Sequence, residues 1–198
     1  MKFAICNEVF EGWSIDDSIR FVAETGYDAI EIAPFTLAQY VTEIPIAERQ
    51  RIRSMAEDNG IEVSAIHWVL IKTEGLYMTH TDEAVREKTS DYFCELVDCC
   101  ADLGGKAIVV GSPKLRNLLP GVSFEQAWEL AQETFAKSIE RAEDKGVTIC
   151  FEPLAPSETD FINTAEQAIE FVSQFDSDAF KIILDVKAMS SEVKPIPE

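Results

Sequence analysis

Two carboxylates in this sequence end apolar runs. Glu152 stands in Cys150-Phe151-Glu152-Pro153-Leu154 and Asp185 in Ile183-Leu184-Asp185-Val186. A carboxylate at the end of a hydrophobic strand is costly unless it is paired or holds a metal, and two aimed at one place suit a hard divalent cation. Either one alone reads equally well as the cap of a following helix or the partner of a lysine; together they favour the metal. His67, at the end of Val63-Ser64-Ala65-Ile66, could bind a substrate oxygen, against which stands a packing role beside Trp68. Lys114 and Arg116 are candidates to meet an anionic or polyhydroxy ligand, although exposed loop cations are commonplace. Trp13 and Trp68 follow strands and could wall an apolar pocket edge or simply pack the rim.

What must position these residues is a phrase that recurs four times: a polar amphipathic stretch, a glycine, then a short apolar run. Gly26 leads into Asp28–Ile32, Gly60 into Ile61–His67, Gly104-Gly105 into Ala107–Gly111, and Gly146 into Val147–Glu152. Glycine just past a helix supplies a left-handed cap, and a β-branched run after it fits a buried parallel strand. Phe3–Cys6 adds a strand at the start and Lys181–Leu184 a sixth, the latter preceded by Asp176-Ser177-Asp178. The intervening helices have plausible starts at Ser14, at Thr81 or Asp82, at Ser123 with Gln126, and at Thr164 with Gln167; Pro45 fits the first turn of another.

Alternating strands and helices imply right-handed crossovers and a parallel sheet, either doubly wound or closed into a barrel. No G-x-G-x-x-G or P-loop follows a strand, which disfavours nucleotide folds. The glycines at 26, 60, 104 and 146 are separated by 34, 44 and 42 residues, as in successive units of one α/β barrel. A closed barrel needs eight units over ~250 residues. The expectation is a (β/α) TIM-type barrel of about six βα units, one domain over residues 1–198, C-terminally short with strands seven and eight absent. Its strand ends would then present Asn7/Glu8, Glu31, His67, Gly111-Ser112-Pro113-Lys114, Glu152 and Asp185 to one mouth.

Composition narrows the function classes. Seventeen basic and 36 acidic residues leave a formal charge of −19, which would repel a phosphate backbone and argues against nucleic acid as a partner. Solvated helix faces account for that charge. Met1–Glu8 lacks the basic start and apolar run of a signal peptide, and no stretch reaches the ~20 apolar residues of a membrane span, so a cytoplasmic protein without a membrane partner is expected. The five cysteines lack C-x-x-C spacing, against both a disulfide framework and a zinc ribbon. Cys6 and Cys150 read as small core residues, and Cys94, Cys99 and Cys100 as packing groups on a helix.

Gly111-Ser112-Pro113-Lys114, Phe151-Glu152-Pro153-Leu154, Glu158–Thr164 and Leu184–Met189 together resemble the sugar phosphate isomerase/epimerase group of xylose-isomerase-like TIM barrels, across essentially the whole chain. The resemblance implies Glu152 as the strand-five metal ligand and Asp185 as the strand-six ligand. It implies Glu158 as a glutamate that touches substrate, and His67 as a pocket-lining histidine. A divalent metal (Mn, Mg, Co or Zn) and a small carbohydrate substrate come with it, the chemistry being proton transfer through an enediolate with Glu152 and Glu158 as the catalytic pair. Two departures stand out. Active members carry a histidine three residues beyond the strand-six aspartate, where this chain has Ala188 beside Lys187. The histidine of strand seven and glutamate of strand eight have no positions, Pro195-Ile196-Pro197 reading as the loop after strand six. The chain as given is therefore expected to hold metal weakly or not at all and to lack isomerase activity.

A second reading is a non-catalytic interaction or regulatory protein retaining the scaffold. A third, an endonuclease IV-like nuclease, is opposed by the charge and by the presence of two histidines, His67 and His80. An open ring would also expose strand edges, so a homo-oligomer covering the gap is expected.

Overall fold

A computed structural model describes residues 1–194; the Pro195-Ile196-Pro197 loop expected after strand six lies outside the described residues. Six strands form one sheet: β1 (Ala4–Cys6), β2 (Ala29–Ile32), β3 (Glu62–Ile66), β4 (Ala107–Val110), β5 (Thr148–Phe151) and β6 (Phe180–Ile182). All neighbours are parallel and the spatial order follows the chain order without reversal. Consecutive order is the winding of a βα barrel and rules out the switch point of a doubly wound sheet.

The connecting helices are α1 (Ile15–Thr25), α2 (Ile46–Asp58), α3 (Glu83–Asp102), α4 (Phe124–Lys145), α5 (Ala165–Val172) and the one-turn α6 (Val186–Met189). Their starts follow from local chemistry. Ser123 Oγ accepts from Gln126 N while Gln126 Oε1 accepts from Ser123 N, and Thr164 and Gln167 repeat the exchange. Such caps each stabilise a helix by about 1 kcal/mol. Of the two candidates before α3, Asp82 is the cap, accepting from Ala84 N. Pro45 departs from expectation: it precedes α2 instead of lying in its first turn, with extended backbone, and its carbonyl accepts from Glu48 N and Arg49 N. At the αβ junctions Gly26 and Gly146 adopt φ of 92° and 63°, the left-handed region that a side chain would strain.

Parallel strands point alternate side chains to opposite faces. Ile30 and Ile32 of β2, Ile108 and Val110 of β4, and Ile149 and Phe151 of β5 are wholly buried toward the helices. There they join Val22, Ile52, Phe93, Phe135 and Phe171 in one continuous core. Phe135, Phe151, Phe171 and Phe180 stack and cross with centroids 5.2 to 6.4 Å apart, locking α4 and α5 onto β5 and β6. The intervening positions, Cys6, Glu31, Val109, Cys150 and Glu152 among them, therefore face the concave side. This corrects the core assignment of Cys6 and Cys150, which are only half-buried, while Cys99 and Cys100 of α3 are buried as packing groups. Among the described residues, no helix is long and apolar enough to cross a membrane.

Candidate active site

A cavity of about 200 Å³ lies on the concave side at the strand ends. Glu152, Glu158, Asp185 and His67 all line it, as do Trp68, Gly111 and Lys187. Four of the residues picked out from sequence thus share one mouth. Lys114 does not: it is exposed on the turn after β4 and outside this lining. Trp13 lies at a neighbouring hollow with Glu8 and Phe35, its ring packed edge-on against Phe21.

Glu152 follows β5 directly and keeps 8% of its surface exposed. Its carboxylate occupies space that Gly111 leaves open at the end of β4, for a Cβ built on Gly111 would collide with Glu152 Oε2. Burial holds its pKa above the usual carboxylate range; His67 and Arg116 pull it down while Asp185 and Glu158 push it up, and the net direction is upward. Substituting Gly111→Ala separates packing from function. The colliding atom is the far end of a flexible side chain, so unfolding stability should move by less than about 1 kcal/mol. The carboxylate must nevertheless shift within the cavity, so in a barrel completed by further βα units Mn²⁺ affinity should fall in Gly111→Ala; unchanged affinity in calorimetry would contradict the placement.

Asp185 combines two of the roles read from sequence. Its Oδ1 accepts from Ala188 N at 2.7 Å, capping α6, and the residue also lines the cavity. Glu158 is pulled to one side: Oε1 accepts from Lys187 Nζ at 2.6 Å, while Oε2 is buried without a hydrogen-bond partner among the described residues. Ala188, where active relatives are expected to have histidine, is 2% exposed. Glu152, Asp185 and Glu158 line one cavity with oxygen donors of the kind that suit a hard divalent cation, but among the described residues the three do not gather within 4.8 Å of one another.

Arg116 overturns its reading as an exposed loop cation. It is completely buried, with Nη1 donating to Glu152 O at 2.7 Å, Nη2 to Ile162 O at 3.4 Å, and its guanidinium 4.8 Å above the Phe151 ring. Burial draws its pKa down to about 9, so it remains charged at neutral pH. It fixes the backbone on which Glu152 sits. Strain collects in the same region: Trp68, Ser112 and Ile162 have φ of 57°, 46° and 58°. For a β-branched isoleucine that conformation costs on the order of 1–3 kcal/mol and persists only where surroundings enforce it.

The closest three-donor cluster was missed at sequence level. Cys6, Glu31 and His67 each offer a ligand atom, all within 4.8 Å of one another. His67 Nδ1 is 3.3 Å from Glu31 Oε2, and its ring stacks on Trp68. Burial opposes the imidazolium, but Glu31, Glu152 and Glu8 outweigh it and raise the pKa of His67 above its ordinary value. Burial and Glu8 likewise push the Cys6 thiol well above the thiol range. Glu31 and His67 were visible as strand ends; Cys6 was hidden because its apolar neighbours made it look like core.

A parallel βα barrel carrying carboxylates at successive strand ends is the class that this fold and site define. A family model described as xylose isomerase-like TIM barrel matches residues 19–195, and the chain belongs to that family. D-psicose 3-epimerases from Ruminiclostridium cellulolyticum and Agrobacterium fabrum are each 28% identical over 178 and 181 residues, covering 88% of this chain. The chain spans 58% of the length of these curated relatives. The crystal structure of D-psicose 3-epimerase with D-tagatose from Clostridium cellulolyticum H10 superposes with a TM-score of 0.83 at 25% identity, covering 99% of this chain and 67% of the other. The 3-keto-D-glucoside 4-epimerase of E. coli shares the fold with a TM-score of 0.80 at 20% identity, over 98% of this chain and 72% of the other.

Proposed function

We propose that this mouth is part of the proton-transfer site of a cytoplasmic sugar or sugar-phosphate epimerase or isomerase acting on a small carbohydrate. The observation that carries the reading is the convergence of Glu152, Glu158 and Asp185 on one cavity, with Glu152 held at a raised pKa. A carboxylate whose pKa is lifted toward neutrality is a better base for a carbon acid than an ordinary one. The similarity to two D-psicose 3-epimerases supports the same chemistry.

On this reading Glu152 and Asp185 hold a divalent ion, Mn, Mg, Co or Zn. When bound, the ion supplies Lewis-acid polarisation of adjacent hydroxyl and carbonyl oxygens. Glu152 takes a proton from the carbon next to the carbonyl. Glu158 contacts the substrate and is oriented by Lys187. His67 contacts a substrate oxygen from the opposite side, and Trp68 closes the apolar edge. Arg116 holds the Glu152 backbone still while the carboxylate works.

Two carboxylates are half of a four-ligand set, so residues 1–198 alone should bind Mn²⁺ weakly and show no turnover. One barrel domain is proposed over residues 1–198, its open edges at β1 and β6 covered in a homo-oligomer. The test is deuterium wash-in at C3 of D-fructose or D-psicose in D₂O with Mn²⁺, followed by proton NMR. Residues 1–198 should show no exchange, and the same residues joined to two closing βα units should show it. Tight stoichiometric Mn²⁺ binding to residues 1–198, or no exchange from a folded completed barrel, would sink the reading.

A further inference from the structure

The first three strands carry a different set of donors, of which His67 also lines the cavity of Glu152 and Asp185. Cys6 and Glu31 are register partners on β1 and β2, so their side chains leave the sheet on the same face. After the register shift between Ile30 and Glu31, Glu31 pairs with Ala65. His67 lies two residues beyond Ala65, and its N donates to Ile32 O. Three consecutive strands therefore deliver a thiol, a carboxylate and an imidazole to one point, with ligand atoms within 4.8 Å of one another.

We propose that Cys6, Glu31 and His67 form a second metal site, selective for a borderline divalent ion of the zinc type. Sulfur, nitrogen and oxygen donors together match zinc or cobalt, whereas manganese and magnesium favour an all-oxygen shell. The dimensions agree. Zinc–ligand bonds of roughly 2.0–2.3 Å in a tetrahedron put neighbouring ligand atoms roughly 3.3–3.8 Å apart, and the observed Nδ1 to Oε2 separation is 3.3 Å. The remaining ligand atoms lie within 4.8 Å of one another.

An independent observation points the same way. Glu8, one turn beyond β1, has Oε2 buried without a hydrogen-bond partner among the described residues, and its charge reaches both Cys6 and His67. A buried carboxylate oxygen left unmatched is costly, and an ion at the cluster would offset it. Three protein ligands leave the fourth zinc position to Glu8 or to a water facing the cavity, which His67 also lines. The site is separate from the Glu152–Asp185 pair in both strand origin and donor chemistry, and it does not depend on the epimerase reading.

Cobalt titration of the full 198-residue chain tests it, because a thiolate on Co²⁺ gives a near-ultraviolet charge-transfer band that carboxylate and imidazole ligands do not. The wild-type chain should develop the band up to one equivalent and lose it on adding Zn²⁺. Cys6→Ser should abolish the band and Glu31→Gln should weaken it, with circular dichroism confirming that both variants are folded. The double variant Glu152→Gln/Asp185→Asn should retain the band. Absence of the band from folded wild-type protein overturns the proposal, as does its survival in Cys6→Ser or its loss in the double variant. Tight Mn²⁺ binding to residues 1–198, or no sugar exchange from a folded completed barrel, would leave the band untouched and so counts only against the epimerase reading.

Discussion

Arg116→Met should lower unfolding stability by about 2–4 kcal/mol, measured by urea denaturation with an unchanged m-value. The guanidinium satisfies two carbonyls, Glu152 O and Ile162 O, and covers the face of Phe151. Methionine fills much of the volume but donates to neither; Ile162 O keeps the Leu154 N–H, while Glu152 O is left bare at a cost of about 1–3 kcal/mol. Loss of the cation above the ring adds about 0.5–2 kcal/mol. Opposing this, the variant removes a buried charge and Arg116 Nε, which has no hydrogen-bond partner among the described residues. The bare Glu152 carbonyl and the uncovered ring outweigh that relief, and the left-handed Ile162 loses a contact that enforces its conformation. Arg116→Lys should recover only part of the loss, because an ammonium lacks the planar fork that spans two carbonyls. Stability equal to wild type in Arg116→Met would show that the guanidinium is not the anchor of this segment.

The frame of the molecule could be read from sequence because it rests on local rules. Glycine after a helix, β-branched runs and Ser/Thr-x-x-Gln boxes act within a few residues, and they located the six strands and the caps at Ser123 and Thr164. Consecutive strand order followed once no nucleotide-loop signal broke the repeat. What escaped was determined by partners distant in sequence. Arg116 looked like a loop cation because its acceptors lie 36 and 46 residues away. Cys6 looked like core because nothing in Ala4-Ile5-Cys6 announces that its register partner is Glu31. Trp13 looked like a wall of the site because it follows β1, yet the 3-10 turn at Asn7–Val9 and the bend after it carry the ring to the Phe10 and Phe21 cluster.

Lys187 shows how one substitution redistributes charge in the mouth. Ala188, at the position expected for histidine, is buried, while the adjacent lysine reaches across 29 residues to Glu158. The pair is largely solvent-facing on the lysine side, so its energetic value is small. Its effect is positional: it draws one Glu158 oxygen toward the rim and leaves the other facing inward. The non-catalytic reading draws its support from this departure, and the exchange assay decides between the two.

Glu152→Gln should move activity and stability in opposite directions. In a completed barrel that exchanges the sugar proton, the amide cannot accept it, and wash-in should slow by roughly 10²–10⁴-fold. Thermal stability without metal should rise. The folded-state pKa of Glu152 lies above the ordinary 4.5 because burial, Asp185 and Glu158 outweigh His67 and Arg116. The folded protein therefore binds this proton more tightly than the unfolded chain does. The associated stability is fully present below the ordinary value and is lost as pH rises through the raised one. As pH rises through the raised value the wild-type protein takes on the penalty of ionising a desolvated carboxylate, and glutamine carries none. Melting temperatures of the two proteins should converge near pH 4 and separate toward pH 7, with the variant higher. Added Mn²⁺ should then reverse the order in the completed barrel, since an ion bound to the native carboxylate stabilises only the wild type. A variant that melts below wild type at neutral pH without metal would mean that Glu152 is held by attraction to its surroundings instead of being strained by them. The site would then be structural, and the base would have to be sought elsewhere in the mouth.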